Sequence, residues 1–502
     1  MPWELSEFGQ GLCTGSGIGE LMEDLGAALT VGGERIRMLG GGQPAHIPEI
    51  DAVWRQRMKE IMVSEGELER MLGDYEGPAG NRGFRAALAG LFSREFGWEL
   101  GPENVAVTAG GQTAFFFLFN SLAGRFADGR RKKILLPLVP EYIGYASQSA
   151  GGELFRGAKP RLEMIGNHEF KYRVDFDSLE IDEEVAAICV SRPTNPTGNV
   201  LTDNEIGHLS ELAAEHAIPL IIDNAYGAPF PNIIFSEATP VWNENIILTQ
   251  SLSKTGLPGT RTGIVIAREE VIRWVTSMTS IVGLSNTNAG QAIMQPLLEN
   301  GEILRLSDEV IQPFYRIKSD RARSLVEEHF DPSLPWRVHK REGALFLWLW
   351  FEDLPITSLE LYERLKARDV LVVPGNYFFY GLEDGHWPHR NECLRISFTM
   401  SEEVVGEGFR VIGEEVKKAD EGRWARSRAS NKAHRPTTCN TPWLAAVVVG
   451  YCKLRGRRGS PGVSCRRPDA SADPCEVFFP RAGRNGWGTR NGRCRPAATW
   501  GS

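Results

Sequence analysis

A chain of 502 residues with 42% hydrophobic and 24% charged residues has the make-up of a soluble globular protein and the length for two or three domains. No uninterrupted apolar run approaches the roughly 18 residues that cross a bilayer, and the acidic start, MPWELSEFGQ, lacks the basic and apolar regions of a signal peptide, so a cytoplasmic protein is expected. The net charge of -8 hides a division: residues 421–502 hold 14 Arg and 2 Lys against 4 Asp plus Glu, a balance of +12, which leaves -20 for the remainder.

Along the chain, GSGIGE (Gly15, Gly17, Gly19) is similar to part of a dinucleotide-binding loop, but no strand precedes it and the spacing is incomplete. It reads as a turn ahead of a helix, ELMEDLGAAL. From about residue 100 to 270, short runs rich in Ile, Val and Leu (ENVAVTAGG, KKILLPLVP, VAAICVSRP, AIPLIIDNAY, NIILTQSLS, GIVIA) alternate with helix-like stretches. QTAFFFLFNSLAGRF is one such helix; TDNEIGHLSELAAEHA is another, opening on Thr202 as N-cap with Glu205 three residues on. Strand and helix in alternation predict a mainly parallel sheet covered on both faces, with ligands at the carboxyl ends of its strands. Asn195, Asp223 and Lys254 all stand where such strands run out.

From 301 to 418 the pattern becomes a smaller α+β unit: a long amphipathic helix over LRLSDEVIQPFYRIKSDRARSLVEEHF, then GALFLWLWF, the helix SLELYERLKARD, VLVVPG, CLRISFTM and a last helix near EEVVGEGFRVIGEEVKKA. Residues 419–502, rich in Arg, Gly, Pro and Ser, hold five of the eight cysteines and show no sustained periodicity. They are expected to be disordered, an extension without selected function rather than a nucleic-acid or lipid-binding tail. Cys13, Cys189 and Cys393 have no disulfide or zinc spacing, and His386, His389 and Cys393 in HWPHRNEC lack a second cluster, so no metal is expected.

Three segments carry the chemistry: SRPTNPTGNV (191–200), DNAYGAPFP (223–231) and SLSKTGLPGTRTG (251–263). Each alone has a plain reading, Asn195 and Asp223 as turn or cap residues and Lys254 as a solvated charge. In this order they resemble the signature of fold-type I pyridoxal-phosphate enzymes of the aspartate aminotransferase superfamily. MLGGGQPAHIPE, DYEGPAG, TAGGQTAFFFLFN, LVPEYIGYA, EGALFLWLWFEDLPIT and CLRISF extend the likeness over roughly residues 10–418, toward the branch acting on L-valine and pyruvate.

The resemblance implies a homodimer built on a mainly parallel, seven-stranded-type sheet between helices (61–300). A smaller α+β domain (301–418) is joined by residues 1–60. Lys254 is then the amine that bonds the aldehyde of pyridoxal 5'-phosphate and later moves the substrate proton. Asp223 holds the proton of the pyridine nitrogen, Tyr226 and Asn195 bond the phenolic oxygen, and Tyr142 stacks on the ring. Gly110, Gly111 and Gln112 open a phosphate-binding helix, with Ser251, Ser253 and Arg261 closing the cup; Arg261 stands one residue closer to the lysine than is usual in the superfamily. Tyr75 reaches the phosphate of the neighbouring subunit, while Arg395 and the backbone at Gly42 hold the substrate carboxylate. A C–S lyase or decarboxylase on the same scaffold, an aminotransferase of other substrate range and a pyridoxal-phosphate-sensing regulator are the alternatives.

Overall fold

The computed structural model describes residues 3–13, 19, 26, 35–383 and 387–433. Apart from Gly19 and Gly26, the turn expected at GSGIGE and the helix expected at ELMEDLGAAL lie outside the described residues, as do His386 and the segment 434–502.

The apolar runs become strands because apolar residues occupy both sides of the ribbon. Every residue of Val185–Ser191 is buried, as is every residue of Ile246–Ser251 and of Gly263–Ile266. That pattern is stable only in a sheet covered on both faces. Among the described residues they belong to an eight-stranded sheet with the order Val105–Thr108, Gly263–Ile266, Ile246–Ser251, Leu220–Asp223, Val185–Ser191, Arg131–Leu136 and Gly124–Arg125, with Phe155–Gly157 beside Arg131–Leu136. Gly124–Arg125 is a two-residue addition to the expected seven. The central ladders are parallel, and Gly263–Ile266 runs antiparallel to both its neighbours. Helices Gly111–Leu122, Asp203–Glu215 and Glu269–Val282 pack on this sheet. Asp203–Glu215 begins where foreseen: the Glu205 N–H donates to Thr202 Oγ1 (3.2 Å), and the Glu205 carboxylate accepts the Thr202 N–H (2.9 Å).

A second, six-stranded sheet orders Val373–Pro374, Cys393–Ser397, Phe346–Phe351, Trp336–His339, Glu169–Arg173 and Arg161–Ile165. Its last two strands come from residues 161–173, inside the segment read as the large domain. They join because Lys171 is buried there, donating to Glu342, to Asn199 Oδ1 (2.9 Å) and to the Val200 carbonyl (3.0 Å). Arg37–Met38 pairs in parallel with Val370–Leu371, which carries the glycine segment 39–42 to the edge of the large sheet. The long helix from Glu302 to His329 contains a π turn at Ser307–Ile311, closed by the Gln312 N–H to the Ser307 carbonyl. The wider turn falls directly before Pro313, whose ring cannot enter an ordinary helical bond. The final helix continues past residue 418 to Ala433. Among the described residues no helix is long and apolar enough to cross a membrane.

Candidate active site

Strand register gathers the polar residues. Ser191 pairs with Asp223, Asp223 with Thr249, and Ser251 with Gly263, so the carboxyl ends of the parallel strands form one edge. A cavity of ≈ 260 Å³ opens there. Asn195, Asp223, Tyr226, Ser251, Ser253 and Lys254 line it, with Arg261, Arg395 and Gly42; Gly111, Gln112 and Tyr142 complete the set foreseen there. Gly110 stands directly behind the wall, and Tyr75 is 82% exposed and lines no part of the cavity in this chain.

Lys254 follows Ile246–Ser251 in a tight turn, Leu252–Thr255, that ends on Gly256 at φ 97°. A left-handed residue is needed there to reverse the chain. The Lys254 Nζ donates to the Gly42 carbonyl (2.7 Å) and lies 5.3 Å from the Tyr226 ring centre. Burial, then the Arg395 charge, lowers its pKa to about 8, with Arg261 adding in the same direction and Asp223 opposing. An amine so tuned is nucleophilic near neutral pH.

Asp223 ends its strand with one carboxylate oxygen accepting the Ala225 N–H (3.0 Å) and the other accepting the Tyr145 hydroxyl. Burial raises its pKa, resisted by these two bonds and by Lys254. It is a half-buried anion-forming group facing an open cavity, which suits a protonated ring nitrogen. Asn195 Oδ1 accepts from Arg395 Nη1 (2.7 Å), and Arg395 Nη2 donates to the Gly40 carbonyl (2.6 Å). The guanidinium lies 4.3 Å from the Phe346 ring centre and 5.3 Å from that of Phe378. Burial lowers its pKa to about 10, and its Nε is buried without a hydrogen-bond partner among the described residues.

At the other end, Gly111 and Gln112, the first residues of helix Gly111–Leu122, line the cavity, and the first amides of a helix have no partner inside it. Ser251 Oγ accepts the Ser253 N–H (3.2 Å) and pairs with Ser253 Oγ (3.0 Å). Arg261 adopts φ 49°, uncommon for a non-glycine residue, and lays its guanidinium against Gly110. A Cβ on Gly110, itself at φ 90°, would stand 2.1 Å from Arg261 Nη2. Gly110→Ala is therefore expected to push Arg261 out of the cup and weaken pyridoxal-phosphate binding by about tenfold or more, the cost of one charge-assisted phosphate contact. Titration of the protein with pyridoxal phosphate checks this, and an unchanged affinity would remove Arg261 from the cup.

Sequence reasoning missed Tyr145, the partner of Asp223, and the cavity residues Gly40, Phe115, Ile143, Ala225, Thr249 and Gln250. Tyr145 carried a signal, standing three residues after Tyr142 in EYIGY; Thr249 and Gln250 adjoin SLSK. In the run AFFFLF, Phe117 and Phe119 are core, while Phe115 borders the cavity and packs on Tyr145 with ring centres 4.6 Å apart. His389 and Cys393 lie buried elsewhere: His389 Nε2 meets the Tyr172 hydroxyl (2.5 Å), Cys393 Sγ donates to the His389 carbonyl (3.3 Å), and burial lowers the His389 pKa to about 3.

A near-neutral amine, a half-buried carboxylate lining the same cavity and an anion cup at a helix start match a ligand that is at once aldehyde, pyridine and phosphate. The fold and this donor set define a fold-type I pyridoxal-phosphate enzyme. The family model described as "Aminotransferase class I and II" matches residues 42–412. Over 422 residues the chain is 48% identical to a valine–pyruvate aminotransferase of Escherichia coli K12, covering 84% of this chain and 99% of that one. A crystal structure of valine-pyruvate aminotransferase from Salmonella typhimurium LT2 aligns with TM-score 0.74 and 46% identity, covering 80% and 99% of the two chains. Aspartate aminotransferase of Thermus thermophilus shares the fold, with TM-score 0.65 at 22% identity over 82% and 100% of the two chains. The chain belongs to the class I and II aminotransferase family, and it is an enzyme that transfers amino groups with pyridoxal 5'-phosphate as cofactor.

Proposed function

We infer that the reaction moves the amino group of L-valine to pyruvate, giving 3-methyl-2-oxobutanoate and L-alanine in two half-reactions, the first 2-oxo acid leaving before the second binds. The observation that carries the donor and acceptor is the 48% identity, across nearly the whole of the relative, to a protein of that name. The residues take the following parts. Arg395, braced by Asn195, and the Gly42 backbone hold the substrate carboxylate; Lys254 Nζ carries the proton of the substrate α-carbon. Asp223 keeps the ring nitrogen protonated, Tyr226 and Asn195 face the phenolic oxygen, and Tyr142 lies along the ring. Gly110, Gly111, Gln112, Ser251, Ser253 and Arg261 hold the phosphate. The cofactor, when bound, supplies an electron sink for the α-carbon.

The working unit in this reading is a homodimer of the cytoplasm, with Tyr75 reaching the partner's phosphate. Leu72 and Tyr75 are exposed on one segment, Ile281, Val282 and Leu284 on another, and Asn286 and Asn288 tie the two together through the Pro78 (3.2 Å) and Asp74 (2.9 Å) carbonyls. Such an apolar face suits a second copy. Free thiols at Cys13, Cys189 and Cys393 suit a reducing compartment. We place residues 61–300 in the large domain apart from the strands at 161–173, and 301–418 with 1–60 in the small one.

The test is absorbance of the purified, cofactor-loaded protein. Its visible band should shift on adding L-valine and return with pyruvate, in a species sedimenting at twice 55.7 kDa and recovered in the soluble fraction of lysed cells. Ammonia release without recycling by pyruvate would move the assignment to a lyase.

A further inference from the structure

Glu141 is a buried titratable residue that the reading above leaves without a task. It is 2% exposed, yet its carboxyl is well supplied with donors. The Ser191 N–H donates to Oε1 (2.9 Å), the Ser191 hydroxyl to Oε2 (2.6 Å), and the Tyr142 N–H also to Oε2 (3.2 Å). Ser191 is the last residue of its strand and the register partner of Asp223. Tyr142 lines the cavity, its ring edge-on to Tyr145 with centres 5.2 Å apart, and Tyr145 donates to Asp223. The same turn is held from the far side: the Glu141 N–H donates to the Phe378 carbonyl (3.1 Å) and the Tyr380 hydroxyl to the Tyr142 carbonyl (2.9 Å).

We propose that Glu141 is a positioning residue for transamination: it ties the Tyr142 peptide to the end of the strand Val185–Ser191 and so fixes the Tyr142 ring, and with it the cofactor's seat, beside Asp223. This rests on the reading of the cavity as the cofactor site. An apolar side chain would fill the space at lower desolvation cost but would leave the Ser191 and Tyr142 amides unpaired. The groups facing Glu141 are Asp223, Tyr145, Cys189 and Tyr380. None is a cation. Burial above all, with the Asp223 charge added, pushes the Glu141 pKa up to about 8. Between about pH 4.5 and 8 the folded chain retains a proton that the unfolded chain releases, so this residue's contribution to stability falls as pH rises through that window.

Glutamine is the isostere of the protonated acid, which gives a test in the full-length, cofactor-loaded protein. The affinity for pyridoxal phosphate and the visible absorption maximum are measured for wild type, Glu141→Gln, Glu141→Ala and Ser191→Ala. Glu141→Ala is expected to bind the cofactor about tenfold more weakly with a displaced maximum, because small misplacements of a seat are costly. Ser191→Ala should shift both in the same direction by less. Glu141→Gln keeps one acceptor oxygen but turns its NH2 toward either the Ser191 or the Tyr142 N–H, so it should fall between wild type and Glu141→Ala, and it should lose the stability slope between pH 5 and 8. A Glu141→Ala protein with wild-type affinity and spectrum, whatever its melting temperature, overturns the proposal. If Glu141→Ala does not fold, Ser191→Ala against Glu141→Gln decides on the same readouts. A wild-type protein that shows no band with pyridoxal phosphate would instead refute the reading of the cavity.

Discussion

Lys254→Ala is expected to abolish the visible band of the cofactor-loaded protein and to lower transamination by about 10⁴-fold or more. In the proposed reading two losses combine in one residue. The amine that attaches the aldehyde is gone, and so is the proton carrier for the substrate α-carbon, a function worth up to about 10⁴ by itself. The fold should not suffer. Lys254 is held with its pKa at about 8, below the ordinary lysine value of 10.5, by burial and by Arg395. A base depressed in the folded state destabilises that state at neutral pH, where the unfolded chain carries the proton freely; the penalty lifts only as pH rises from 8 toward 10.5. Removing the side chain at pH 7 should therefore leave the melting temperature of the cofactor-free protein unchanged or raised by on the order of a few degrees, measured by calorimetry. An inactive variant that melts well below wild type would assign Lys254 a structural duty, and an active one would remove it from the chemistry.

The sheet could be read from sequence because a ribbon buried on both faces writes itself as a continuous apolar run, as VAAICVS does. The Thr202 cap could be read because its partner is three residues away. Glu169–Arg173 could not: EFKYR places a lysine in the strand, and Lys171 is buried because Glu342 meets it from 171 positions away, with Asn199 and the Val200 carbonyl as further acceptors. For the same reason Tyr145 went unnoticed, since its bond to Asp223 spans 78 positions. In the site, Lys254, Asp223, Asn195 and Arg261 were legible as motif positions. What no motif carried is that Lys254 and Arg395 both donate to carbonyls of one glycine segment, at Gly42 and Gly40. That depends on Arg37–Met38 pairing with Val370–Leu371, two residues against two, too short a strand for any periodicity to announce.

Arg395→Lys and Arg395→Ala should part company in a way that separates geometry from charge. The wild-type guanidinium is fixed by Asn195, by the Gly40 carbonyl and by the flanking rings of Phe346 and Phe378. A lysine keeps the charge but has neither the planar fork that meets a carboxylate with two bonds nor the flat face that lies along an aromatic ring. Arg395→Lys should thus raise the KM for both amino acid and 2-oxo acid, lowering kcat/KM by roughly 10²–10³, about 3–4 kcal/mol of lost carboxylate recognition. Cofactor affinity should be unchanged. Arg395→Ala should lose at least as much kcat/KM and should also alter Lys254, because the Arg395 charge is the largest cause after burial of the lowered lysine pKa. With that charge gone the pKa must rise, so at pH 8 a smaller fraction of Lys254 is the neutral amine. The rate at which cofactor-free protein captures pyridoxal phosphate, followed by the growth of the visible band against pH, should have its midpoint near 8 in wild type and in Arg395→Lys, and a higher midpoint in Arg395→Ala. Equal midpoints in all three would mean that burial alone tunes Lys254; a wild-type KM in Arg395→Lys would place the substrate carboxylate elsewhere in the cavity.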